Sequence, residues 1–137
     1  MFEAKLGDGT PQKGTVYLGD AQAISKLEGE LVLPNNDSIT GIDNGCFMNQ
    51  YYLTAITIPR GVTKISEGAF TGCGDLLSVI LPEGITSIEY GAFAHCRKLK
   101  NMVIPSTITF IGAYAFLSCV DLSLLVFDGT VEQWNSI

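Results

Sequence analysis

Leu53 to Asp75 read LTAITIPRGVTKISEGAFTGCGD, and the chain then writes the same pattern twice more. Leu76 to Lys98 is LLSVILPEGITSIEYGAFAHCRK and Leu99 to Asp121 is LKNMVIPSTITFIGAYAFLSCVD, so the period is 23 residues without a gap. A fixed period in the twenties specifies a solenoid, in which each unit buries its apolar side only against its neighbours.

The columns of this repeat predict the coil. Leu53, Leu76, Leu99 and Leu122 form one column, Ile56, Val79, Met102 and Leu125 a second, and Ile58, Leu81, Ile104 and Phe127 a third. The second and third lie two residues apart, so they share one face of an extended segment. Pro34, Pro59, Pro82 and Pro105 end that segment, because proline has no N–H for a ladder. A second short inward segment follows, with Val62, Ile85 and Ile108 and then Ile65, Ile88 and Ile111. Ala69-Phe70, Ala92-Phe93 and Ala115-Phe116 then predict a tight turn, a short helical or 3₁₀ piece, whose ring plugs each coil.

Working outward, the preceding coil is imperfect. Leu31-Val32-Leu33-Pro34 matches Ile56-Thr57-Ile58-Pro59 at an offset of 25, whereas Ile39, Ile42 and Phe47 match Val62, Ile65 and Phe70 at 23. Two residues are therefore inserted among Asn35, Asn36, Asp37 and Ser38, where a loop can lengthen without disturbing a core. Residues 1–27 do not fit the repeat and read as an N-terminal cap or eroded coil, with a short strand at Thr15-Val16-Tyr17-Leu18. The solenoid covers 28–127, in coils 28–52, 53–75, 76–98 and 99–121 plus the start of a last coil at 122–127. Residues 128–137 form a C-terminal capping turn, in which Thr130 and Gln133 have the spacing of a helix capping box. Val131 and Trp134 hold the register of Val62 and Ile65, which places Trp134 over the last core layer.

The pattern LxxVxIPxxVxxIxxxAFxxC resembles the BspA-like leucine-rich-repeat family of bacterial and protist surface proteins. The resemblance runs over residues 28–137. Cys46 stands in place of the alanine, Gln50 of the cysteine, Asp128 of the proline and Tyr114 of a glycine. The resemblance implies an α/β repeat solenoid, a right-handed leucine-rich-repeat superhelix with a parallel β-sheet and short turn or 3₁₀ segments. It also implies adhesion or protein binding at a cell surface, and it transfers no catalytic residue.

Composition narrows the function classes. The chain has 137 residues, 47% apolar and 16% charged, with a formal net charge of −6. That balance fits one folded domain and argues against nucleic acid or anionic lipid, whose phosphates need a basic face. No apolar run approaches the roughly 20 residues of a membrane span, and MFEAKLGDGT has neither region of a secretory signal. The expectation is a segment of a longer surface or secreted protein.

Cys46, Cys73, Cys96 and Cys119 are spaced as the repeat, apart from the first, rather than as a metal motif, and His95 is the only histidine. Stacked positions about 4.8 Å apart with parallel side chains also suit a disulfide poorly. The cysteines read as a ladder of free, buried thiols. His95 reads as a solvated turn residue, and the dispersed carboxylates build no acid–base pair. No cofactor, metal or catalytic residue is expected.

What points outward carries the binding reading. Val32, Thr57, Ile80, Val103 and Val126 alternate with the inward residues of the first strand, beside a second outward column that includes Ser78 and Asn101. A β-branched, apolar stripe suits a protein partner. A structural spacer carrying another domain would need no such stripe. Tyr90, Phe110 and Tyr114, aromatics outside the core columns, are a further candidate face for sugars or a partner coil.

Overall fold

The computed structural model describes residues 2–3, 15–16, 28–33 and 39–137. The strands alternate between two sides of a stack of coils. On one side lie β1 (Phe2–Glu3), β3 (Glu28–Val32), β5 (Tyr52–Thr57), β7 (Ser78–Ile80), β9 (Asn101–Pro105) and β11 (Leu124–Asp128). On the other lie two-residue strands: β2 (Thr15–Val16), β4 (Gly41–Ile42), β6 (Lys64–Ile65), β8 (Ser87–Ile88) and β10 (Phe110–Ile111). The short strands form one parallel sheet in the order β10-β8-β6-β4-β2. The second inward segment of each coil is thus itself a ladder.

The long strands are all parallel but fall into two ladders, β1-β3-β5-β7 and β11-β9. The single sheet expected along this side is therefore interrupted: β7 and β9 lie against each other without a ladder pairing them. Val79 and Met102, facing inward on these two strands, remain in the shared core. Burial of side chains continues across a step at which hydrogen bonding does not.

Register follows the repeat. Ile56 pairs with Val79 and Met102 with Leu125, each 23 residues on. Leu31 pairs with Ile56 at 25, and Ile42 with Ile65 at 23. The offset changes across the polar insertion, whose own residues, with Pro34, lie outside the described ones. β1 pairs with β3 and β2 with β4, so the strand expected near Thr15 is present at Thr15–Val16; Tyr17 and Leu18 lie outside the described residues.

Every proline that ends a long strand and is described starts a tight bend: the N–H groups of Val62, Ile85 and Ile108 donate to the carbonyls of Pro59, Pro82 and Pro105. The Ala-Phe segment is a run of hydrogen-bonded turns in place of the expected helical or 3₁₀ piece. Its N–H groups alternate in direction. Gly68, Phe70 and Gly72 donate to the next coil, at Tyr90, Ala92 and Ala94, at 2.8–3.0 Å. Ala69, Thr71 and Cys73 instead donate three residues back within their own turn. Left-handed backbone at the first and fifth residues makes this alternation possible, at Gly45, Gly68, Gly91 and Tyr114, and at Asn49, Gly72, His95 and Ser118. Glycine suits such positions because it lacks the Cβ that clashes there.

The rings these turns carry are the centre of the core. Phe47, Phe70, Phe93 and Phe116 stack with successive centroids 5.1, 5.3 and 5.7 Å apart and planes within 14° of parallel. Leu53, Leu76 and Leu99 are fully buried, while Leu122, in the last coil, is half-buried. Helix α1 (Val131–Asn135) has the capping box at Thr130 and Gln133, but none of its residues is buried. Val131 thus does not repeat the role of Val62, because a helix replaces the second short strand there. Trp134 alone reaches the core layer, its ring 5.4 Å from that of Phe127.

Two substitutions test this packing. Phe93→Ala removes the middle of the ring stack and is expected to cost about 3–5 kcal/mol. His95→Gly relieves a left-handed backbone at the surface and is expected to be neutral or to stabilise by up to about 1 kcal/mol. Urea unfolding of both variants checks the pair; equal losses would mean that the columns are misassigned.

Candidate functional site

Three sets of residues were candidates for function, and the fold separates them in space. The first is the outward stripe on the long strands. Ile80 and Val103 are 59% and 55% exposed, and Val32 and Val126 39% and 42%. Thr57, Ser78 and Asn101 are exposed as well. Registers Thr57↔Ile80 and Val103↔Val126 align the column. Between Ile80 and Val103 the stripe crosses the interruption of the sheet, a cleft of roughly 290 Å³ bordered also by Ser78, Glu83, Asn101 and Pro105. Sequence spacing places these side chains outward by the two-residue alternation of a strand, but it contains no sign of the cleft.

The cysteines are the second set. None of Cys46, Cys73, Cys96 and Cys119 is in a disulfide. Cys73, Cys96 and Cys119 are buried, and Cys46 is half-buried. Each buried thiol donates to a phenylalanine carbonyl of the preceding coil, Cys73 to Phe47, Cys96 to Phe70 and Cys119 to Phe93, at 3.0–3.2 Å. The expected ladder is therefore also a set of inter-coil hydrogen bonds. Burial pushes the Cys73 thiol from 9.0 up to about 12. Burial, and then the neighbouring thiols Cys73 and Cys119, push Cys96 up as well. Such a thiol is a poor nucleophile.

The third set lies on the turn layer. Tyr90 and Tyr114 meet edge to face, with centroids 5.5 Å apart. They stand over a groove of roughly 550 Å³ along the stack, with Met48, Thr71, His95 and Leu117 among its other walls. Phe110 belongs to β10, on the short-strand side, and does not join them. His95 is exposed, as its turn position implies. Among the described residues, no cluster of three or more histidine, cysteine or carboxylate groups is placed to hold a metal ion. No helix among them is long and apolar enough to cross a membrane.

The model of the BspA type leucine-rich repeat region matches residues 26–136 in six copies. The chain belongs to that family. A leucine-rich cell surface protein from Faecalibacterium prausnitzii A2-165 has a similar structure, with a TM-score of 0.82 and 33% identity over 98% of this chain. A leucine-rich repeat protein from Bacteroides ovatus ATCC 8483 follows at 0.70, with 34% identity over 79% of the chain. This chain spans 34% and 28% of the lengths of those two proteins. A leucine-rich repeat protein from Bacteroides capillosus ATCC 29799, at 24% identity and a TM-score of 0.62, shares the fold, matching over 73% of this chain and 77% of its own. No curated protein matches the sequence.

The thiols yield a pH prediction. Their folded pKa values are raised, so their stabilisation is complete below the ordinary thiol value near 9.0 and is lost as pH rises through the folded values, about 12 for Cys73. Cys73 and Cys96 together are expected to remove about 2–3 kcal/mol between about pH 8 and pH 10. A Cys73→Ala/Cys96→Ala variant, less stable at neutral pH, is expected to lose that part of the decline. Denaturant titrations at the two pH values test it, and an equal decline in the variant would contradict the assignment.

Proposed function

We propose that this chain is a non-catalytic protein-binding module that uses its long-strand face, as one segment of a larger cell-surface or secreted protein. The observation that carries the reading is the outward stripe Val32, Thr57, Ile80, Val103 and Val126, flanked by Ser78 and Asn101. Solvent-exposed apolar residues in one aligned column tend to mark an interaction site. A scaffold locked by coil-to-coil hydrogen bonds also loses little freedom when it binds. The cell-surface description of the Faecalibacterium relative supports the location.

In this reading residues 28–127 form a right-handed solenoid and 128–137 cap the last coil; the N-terminal cap or eroded coil expected over residues 1–27 lies, but for 2–3 and 15–16, outside the described residues. The hand follows the strong preference of parallel crossover connections. Adhesion to host or matrix protein is the role such a surface module would serve. A spacer that holds another domain away from a surface is the second reading, favoured by the regularity of the array.

The test is a pull-down with the wild type beside an Ile80→Lys/Val103→Lys variant whose fold is first verified by circular dichroism. Partners held by the wild type are expected to be lost from the variant. A folded variant that keeps every partner removes the strand face from consideration. A wild type that holds none makes the spacer the better reading.

A further inference from the structure

The groove on the turn layer is cut by the repeat itself. Its floor is the column Gly45, Gly68 and Gly91, each in left-handed backbone. A Cβ at Gly68 would come within 3.4 Å of the Met48 methyl and the Thr71 hydroxyl, side chains of the groove wall. The absence of side chains from this column is what opens the trough. The fourth position of the column is Tyr114, which keeps the left-handed backbone at φ 59°. A non-glycine residue there is strained, and such outliers concentrate at functional sites. His95, at φ 61°, lies in the same groove and shares its left-handed backbone with Asn49, Gly72 and Ser118 at the equivalent turn position. The Tyr114 ring lines the trough together with the perpendicular Tyr90 ring, which makes a corner with it.

The lining has a definite chemistry. Two tyrosine rings and the apolar Met48, Ala94 and Leu117 supply faces for stacking, while Asn44, Glu67 and His95 supply hydrogen-bonding groups. No lysine or arginine lines the groove, so nothing compensates an anionic ligand. The floor N–H groups of Gly45, Gly68 and Gly91 already donate to Glu67, Tyr90 and Ala113 of the next coil. The hydroxyl of Thr71 already donates to the Gly91 carbonyl at 2.8 Å. A peptide main chain would therefore find no free backbone donor on the floor. A ligand with an apolar ring face and hydroxyls at its edge meets what is offered, aromatic rings together with carboxylate, carboxamide and imidazole groups in one lining. The volume, roughly 550 Å³, falls in the usual range of small-ligand sites, about 300–1,000 Å³.

We propose that this groove binds a neutral saccharide chain, one sugar ring lying against Tyr90 or Tyr114 and the neighbouring units running over the glycine floor. The site lies on a different layer from the long-strand stripe, so it stands or falls independently of the protein-binding reading.

The experiment is a saturation-transfer and amide-shift NMR titration of the full chain. Its probes are N-acetylchitotriose, cellotriose and mannotriose, with sialyllactose and a proline-rich peptide as the charged and the peptidic comparisons. At least one neutral trisaccharide is expected to bind in the millimolar range or tighter, shifting the amides of Gly68 and Gly91. Tyr90→Ala and Tyr114→Gly are each expected to weaken it about tenfold or more. Tyr114→Gly replaces a strained residue by the one its backbone favours, so its melting temperature does not fall and loss of binding cannot be put down to unfolding. Ile80→Lys/Val103→Lys is expected to bind the saccharide as the wild type does. The proposal is overturned if no neutral saccharide binds, if sialyllactose or the peptide alone binds, or if Tyr114→Gly retains full affinity.

Discussion

The rings of Phe47, Phe70, Phe93 and Phe116 stand in one stack, and the backbone that carries them is what makes the stack repeat. Within each turn, alternate N–H groups are committed to the following coil and the rest to the turn itself. A buried backbone donor without a partner is costly, so one coil alone would leave half of its turn unsatisfied. The next coil supplies the carbonyls, at the same register, and its own ring then arrives at the stacking distance. Parallel coils lie about 4.8 Å apart; centroid separations of 5.1–5.7 Å are that spacing with the lateral offset aromatic pairs prefer.

The remaining columns extend this one constraint. Buried thiols donate to the phenylalanine carbonyls of the coil before, so a position that reads as a small apolar filler also ties neighbouring turns together. On the other side, the N–H groups of Thr86 and Thr109 donate to the threonine of the preceding coil at 2.8 Å, and the hydroxyls do so at 3.0 and 3.3 Å. Each layer of the coil thus has its own ladder. The stack tolerates one interruption, between β7 and β9, because the short-strand sheet and the turn layer run on past it.

Departures from the repeat are where individual character enters. Gln50 occupies the cysteine column and is buried, and Tyr114 occupies the glycine column with its ring in solvent. A perfectly periodic solenoid presents the same surface on every coil. A surface that distinguishes one ligand from another has to come from positions such as Tyr90, Tyr114 and Ile80, which share the backbone of their columns without sharing its residue.

By itself the sequence determined the period, the inward columns and hence the solenoid. A 23-residue spacing of leucine, isoleucine and phenylalanine can be buried consistently in no other way, and period-two alternation then names the outward residues Thr57, Ile80 and Val103. It marked the glycine column as a turn and Cys73, Cys96 and Cys119 as thiols outside any disulfide, since stacked repeat positions suit a disulfide poorly. Only the tertiary structure decided what lies between coils. The break between β7 and β9, the helix that takes Val131 out of the core and the groove beneath Tyr90 and Tyr114 arise from relations across coils. Columns record which residues are equivalent, whereas a cleft or a trough depends on how far apart equivalent backbones stand and on which side chains are missing between them.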